Sequence, residues 1–222
     1  MTIDELKTKL PKQPVFKIDF TGEQVGYKNS KLGGKYYWTD ENGLDGYIFL
    51  AQINFSELPA NDIFPKTGLL QFFVLDDDGY GLFADGKGFR VIYHQNLDNG
   101  YEVYRQPVNT PLYNENIGLS FTLSEEYLTA SDYRMEDFVE DMEDDIWENF
   151  DGSGSKLLGY PYFTQYDPRE NGVSQTYDRL LFQLDTNKYL MWGDSGVANF
   201  FINSEKLANL DFSDILYNWD CC

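Results

Sequence analysis

Three short segments of this chain occur twice, in the same order. "SKLGGKYYW" (30–38) returns as "SKLLGYPYF" (155–163), and "FLAQINF" (49–55) returns as "LLFQLDT" (180–186), with Gln183 opposite Gln52. "GLLQFFV" (68–74) returns as "GVANFFI" (196–202), with Asn199 opposite Gln71. The displacements are 125, 131 and 128 residues. One such match between β-type segments would mean little, but three in order constrain the chain to build one frame twice. The halves are placed at about 14–110 and 155–222, inside one domain of residues 1–222.

The repeated segments read as strands. "VFKIDF" alternates, with Phe16, Ile18 and Phe20 on one face and Lys17 and Asp19 on the other. "YIFLAQINF", "GLLQFFVLDDD", "RLLFQLDTN" and "VANFFIN" are aromatic or β-branched runs bounded by turn signals such as "ENGLDG" and "PKTG". "GFRVIYH" and "YEVYRQPV" read as the arms of a hairpin closed by "NLDNG". Aromatic residues make up 17% of the chain, which favours half-buried pleated surfaces. The expected fold is mainly β with a few helices (α+β), its sheets antiparallel and internally duplicated.

Helices are expected in three places. Thr2 and Glu5 have capping-box spacing ahead of Leu6 and Leu10, so residues 2–10 should form a short helix stopped by Pro11 and Pro14. Ser204 to Leu210 should form one or two turns. Between the halves, residues 124–150 read as a helical segment. Met135, Phe138, Val139, Met142, Ile146 and Phe150 form one apolar stripe at helical spacing, with Ser131 as its N-cap. Glu136, Asp137, Glu140, Asp141, Glu143, Asp144, Asp145 and Glu148 lie between them, so the expected helix over 131–150 buries one face and presents an acidic one.

Seventeen basic residues against 37 acidic ones give a formal charge of −20. That balance opposes phosphate-driven nucleic-acid binding and attachment to an anionic membrane surface. It suits solubility and, beyond that, a basic protein partner. No apolar stretch reaches membrane-spanning length, and the start lacks the apolar core of a secretory signal. The two cysteines, Cys221 and Cys222, are adjacent at the end. A reduced, cytoplasmic protein without disulfide, metal or cofactor is the expectation.

Several motifs imitate active sites. "GDSG" (193–196) carries the nucleophile in trypsin-like serine proteases, but Ser195 would need His94, the only histidine, as base, and the flanking residues differ from theirs. In the repeat, Gly196 corresponds to Gly68 of "PKTG", so the tetrapeptide reads as a strand-entry turn. Asp194 or Ser195 should bond nearby backbone there, with Gly196 at positive φ. "GLFADGKG" (81–88) has the glycines and lysine of a phosphate loop, but Gly88 stands where a hydroxyl is required and a strand follows instead of a helix. "DDDGYG" (76–81) departs from calcium-loop spacing at Tyr80 and Lys87, and reads as a surface turn.

The set of "SKLGGKYYW", "FLAQINFSELP", "GLLQFFVLDDDGYG", "GFRVIYH", "KLLGYPYFTQYDPR", "LLFQLD", "MWGDSGVANFFI" and "LDFSDILYNWDCC" resembles the YwqG-like family of bacterial proteins, from about Ser30 to the end. The resemblance implies a mainly β, internally duplicated domain and carries no catalytic residue over. It associates some relatives with immunity to bacterial toxins. The leading expectation is therefore a non-enzymatic, acidic binding protein, immunity-like, that masks a basic partner with Glu136, Asp137, Glu140, Asp141, Asp144 and Asp145. The alternative is an enzyme or small-molecule binder with a cleft between the halves, lined by Gln52, Gln71, Gln183 and Asn199.

Overall fold

The computed structural model describes residues 1–40, 42–84, 86–141, 144–170 and 172–222. In chain order the elements are α1 (Ile3–Lys9), β1 (Lys12–Gln24), β2 (Lys31–Leu32), β3 (Tyr36–Trp38), β4 (Tyr47–Asn54), β5 (Leu69–Leu75), β6 (Phe89–His94), β7 (Tyr101–Val103), β8 (Ile117–Tyr127), α2 (Asp144–Asn149), β9 (Lys156–Leu158), β10 (Arg179–Asp185), β11 (Val197–Ile202), α3 (Ser204–Ala208) and β12 (Ile215–Asp220). The protein is mostly β, with short helices, as its alternating and aromatic segments predict.

Two compact units divide the chain. The first holds residues 1–18, 122–186 and 192–222, and the second holds 19–121 and 187–191. In the first, the strand order is β12-β11-β10-β9-β1, joined by antiparallel pairings. In the second, it is β8-β2-β4-β5-β6, again antiparallel, and β3 pairs with β7. β1 and β8 each contribute residues to both units.

The matched segments occupy matched places. In the second unit Lys31 lies opposite Gln52 and Gln52 opposite Gln71; in the first, Lys156 lies opposite Gln183 and Gln183 opposite Asn199. Both β4–β5 and β10–β11 carry a register shift, between Phe49 and Ala51 and between Leu180 and Phe182. A bulge of that kind bends a strand. The Asn54 N–H donates to Ser30 Oγ at 2.8 Å, and the Asp185 N–H donates to Ser155 Oγ at 3.0 Å.

α1 forms as its sequence requires. Thr2 caps the first turn, Glu5 returns the bond to the Thr2 N–H, and Leu6 turns inward. Leu6 and Leu10 join Leu128, Ala130, Met135, Ile146, Phe150 and Tyr160 in one cluster.

Two expectations fail. The helix over 131–150, and the wider helical segment over 124–150, do not form. β8 runs on to Tyr127, a 3₁₀ turn spans Tyr133–Asp137 with Asp132 rather than Ser131 as its cap, and α2 begins only at Asp144. Met142 and Glu143 lie outside the described residues. A continuous helix would stack Glu136 on Glu140, Asp137 on Asp141, Glu140 on Asp144 and Asp141 on Asp145, each pair costing roughly 0.2–0.5 kcal/mol. The apolar stripe reaches the core without it: Met135, Ile146 and Phe150 are buried, and Phe138 and Val139 pack beside them. The second failure is the hairpin across "NLDNG". β6 pairs with β5, and β7 pairs with β3. Gly100 lets the Tyr37 ring lie against its backbone, since a Cβ there would meet Tyr37 Cε2 at 1.9 Å. That contact seats β7 on β3.

Candidate functional site

The amide quartet is structural in its bonding. Gln52 Nε2 donates to the carbonyls of Tyr27 and Asn29, both at 2.8 Å. Gln183 Nε2 donates to those of Gly152 and Gly154, at 2.8 and 2.7 Å. Gln71 Nε2 reaches the Tyr37 carbonyl at 2.8 Å, and Asn199 Nδ2 reaches that of Tyr162 at 2.9 Å. All four side chains are fully buried. Buried amides used this way anchor loops.

The imitated motifs resolve into backbone geometry. Ser195 and Gly193, not Gly196, hold the positive φ values of the turn, at 72° and 49°. The turn is closed by the Gly196 N–H on the Trp192 carbonyl at 2.7 Å, and by Thr186 Oγ1 donating to the Gly196 carbonyl at 2.7 Å. Those bonds replace the expected ones from Asp194 and Ser195. Gly196 is required for another reason: a Cβ would sit 1.8 Å from the Asp220 carbonyl oxygen. Gly81 and Gly88 likewise approach each other backbone to backbone, and Gly86 has open space around it but a φ of +69°, which accounts for the three glycines of "GLFADGKG". His94 is buried, its Nε2 sits 2.8 Å from Gln71 Oε1, and burial pushes its pKa down to about 4. Asp76 accepts from the N–H groups of Val108 and Asn109, and Asp77 from those of Gly79 and Gly81. Among the described residues, no three His, Cys, Asp or Glu side chains converge as a metal site.

A different group of residues forms the most built-up site, in the first unit. It grows from two Asp-x-Arg triplets, Asp132-Tyr133-Arg134 and Asp167-Pro168-Arg169. In each, the arginine folds back on its own aspartate. Arg134 Nε and Nη2 donate to Asp132 at 2.7 and 2.6 Å; Arg169 Nε and Nη2 donate to Asp167 at 2.9 and 2.6 Å. Arg169 Nη2 also reaches Asp132 Oδ2 at 2.9 Å, joining the triplets. The Asp132, Asp167 and Arg169 side chains are each no more than 2% exposed. The guanidinium carbon of Arg169 lies 4.3 Å from the Phe201 ring centroid.

Burial alone would raise the Asp132 pKa, but hydrogen bonds from Arg134 and the charge of Arg169 outweigh it and hold the carboxyl below its usual range. Burial would likewise weaken both arginines, and their aspartates keep them charged. Two anions thus balance two cations. Fork geometry and mutual satisfaction leave no carboxylate free for proton transfer, so the network is a rigid platform.

Above that platform lies a hollow of about 160 Å³. Ala130, Met135 and Phe163 give it an apolar floor, and Tyr133, Trp147 and Tyr166 give it aromatic walls. Trp147 is 45% exposed and Tyr166 is 67% exposed. Glu136 and Glu170 add carboxylates that meet no cation among the described residues. The wall residue Gln165 is fixed by Asp220, which accepts from the N–H groups of Thr164 and Gln165 at 3.2 and 3.0 Å. Sequence alone assigns Glu136 to the acidic surface, Met135 to the apolar stripe and Ser131 to a helix cap, and singles out no other residue of the hollow. The signal available was the repeated Asp-x-Arg triplet.

Of the other acidic-surface residues, Asp137, Glu140, Asp141, Asp144 and Asp145 are all exposed, and none forms an ion pair among the described residues. Glu140, Asp141 and Asp145 border a larger groove of about 730 Å³ with Ile3, Leu6, Phe138 and Ile146. Among the described residues, no helix is long and apolar enough to cross a membrane.

A family model described as "Domain of unknown function (DUF1963)" matches residues 30–221. No curated protein matches the chain.

Proposed function

On the premise that the chain belongs to the DUF1963 family, we propose that it is a non-enzymatic binding protein that masks a basic protein partner, in the manner of a bacterial immunity protein acting in the cytoplasm. One observation carries this reading. Glu136, Asp137, Glu140, Asp141, Asp144 and Asp145 stand exposed along a single stretch, and none of them forms an ion pair among the described residues. Uncompensated like charges raise the cost of folding that stretch, and a basic partner would relieve it on binding. The net charge of −20 adds long-range attraction for the same kind of partner.

The test is affinity capture on the immobilised chain at low and at high salt, beside a variant with those six carboxylates changed to amides. The expected result is a basic protein retained at low salt, released at high salt, and not retained by the variant. Retention of nothing at low salt, or of the same proteins by the variant, would overturn the reading.

A further inference from the structure

We propose that the hollow above the Asp132–Arg169–Asp167 network binds one arginine side chain of a partner. This rests on the reading of the protein as a binder of basic partners, and names the group that would enter.

A volume of about 160 Å³ is below the roughly 300 Å³ that small-molecule pockets usually reach, and suits a single side chain. The local charge favours a cation. The network is neutral, so Glu136 and Glu170 leave the hollow with two uncompensated negative charges. The walls favour a planar one. Trp147 and Tyr166 expose large ring area to water, and Tyr133 already carries the guanidinium of Arg134 at 5.7 Å and that of Arg169 at 5.5 Å from its centroid. Guanidinium stacks on aromatic faces and is more weakly hydrated than ammonium, so entering over an apolar floor costs it less. The platform is already formed: Asp132 and Asp167 are locked by their own arginines and need no rearrangement to hold the walls. A preorganised pocket loses less on binding.

The experiment uses the full chain and three probes: N-acetyl-arginine methylamide, its lysine counterpart, and its citrulline counterpart, which keeps the shape and lacks the charge. Binding is followed by amide NMR shifts, with Trp147→Ala, Glu170→Gln and Glu23→Gln variants for comparison. Saturable shifts centred on residues 130–136, 147 and 163–170 are expected with arginine. Citrulline should bind at least about tenfold more weakly, and lysine about three- to fivefold more weakly. Trp147→Ala and Glu170→Gln should each weaken arginine binding by about three- to fivefold. Glu23→Gln, an exposed residue outside both the hollow and the acidic stretch, should change it by less than about twofold. Equal binding of arginine and citrulline, shifts centred elsewhere, or indifference to Trp147→Ala and Glu170→Gln would overturn the proposal. Basic proteins captured equally by the Trp147→Ala variant would sink the arginine pocket and leave the wider acidic-surface reading standing. Arginine binding in the hollow with no protein captured would do the reverse.

Discussion

The two repeats share their skeleton and differ in what they build on it. In both, a serine hydroxyl holds the end of the second strand, a glutamine amide bridges two loop carbonyls, and the next strand's amide reaches one carbonyl more. Leu44 lies six residues beyond Trp38, and Arg169 lies six beyond Phe163. Leu44 packs beside Tyr36, Phe49, Phe73 and Val103. Arg169 stands instead over Phe201, the counterpart of Phe73, and is bound to two aspartates. His94 ends β6 with a bond to Gln71, whereas its counterpart Asp220 ends β12 and pins Thr164 and Gln165 at the hollow. The skeleton therefore sets where loops leave the sheet, and the loop residues decide whether an oily cluster or an ionic platform results.

That difference predicts unequal responses to matched substitutions. Arg169→Met leaves Asp132 and Asp167 buried without their shared cation, and should cost about 3–5 kcal/mol. Leu44→Met in the other repeat should cost less than about 1.5 kcal/mol. Urea denaturation midpoints compare the two directly, and equal costs would mean that the ionic platform is not a distinct kind of core.

The equivalent lysines give a second contrast. Lys156 pairs with Glu126 at 2.8 Å, while Lys31 donates to the neutral amide of Asn116 and forms no ion pair among the described residues. Burial lowers the pKa of both, that of Lys31 to about 8. Lys156→Met strands a largely buried carboxylate and should cost about 2–4 kcal/mol. Lys31→Met removes an amine that its surroundings disfavour as a cation, and should leave stability within about 1 kcal/mol of the parent or raise it. The same denaturation series reads both, and a reversed order would break the comparison.

The smallest effect separates the repeats by pH. His94 titrates near 4 in the folded chain against 6.5 unfolded. A base with a depressed pKa contributes stability above its unfolded value, and that stability is lost as pH falls from 6.5 towards 4. The loss should be at most about 2 kcal/mol, allowing for the ring's incomplete burial. Asp132, also depressed, loses its contribution only below its ordinary value of 3.8. Between pH 6.5 and 4 stability should therefore fall less steeply in His94→Gln than in the parent, as measured by thermal unfolding across that range. A slope unchanged in the variant would assign it elsewhere.

The strands and their matched places were legible because each is a local pattern: alternation, aromatic runs and turn residues within ten positions. α1 was legible for the same reason, since Thr2 and Glu5 satisfy each other three residues apart. The platform was not. Arg169 meets Asp132 from 37 residues away, and no periodicity reports such a meeting. The apolar stripe of 135–150 correctly marked core residues and misled about their backbone, because helical spacing says which side chains turn inward, not whether carboxylates tolerate the helix between them. The quartet of amides stands out in the sequence by its repetition, which reflects shared loop anchoring.

The division of the chain between its units bears on how the protein is made. The first unit takes residues 1–18 and waits for 122–186 and 192–222; the second takes 19–121 and is completed by 187–191. A ribosome releases these stretches in order, so the opening strand must remain unsatisfied while more than a hundred residues emerge. Neither unit can close until synthesis has passed residue 186. Contacts so distant in sequence form slowly and leave apolar strand edges exposed meanwhile. A formal charge of −20 opposes association between nascent chains during that wait, which gives the acidity of this sequence a role before the molecule has any fold at all.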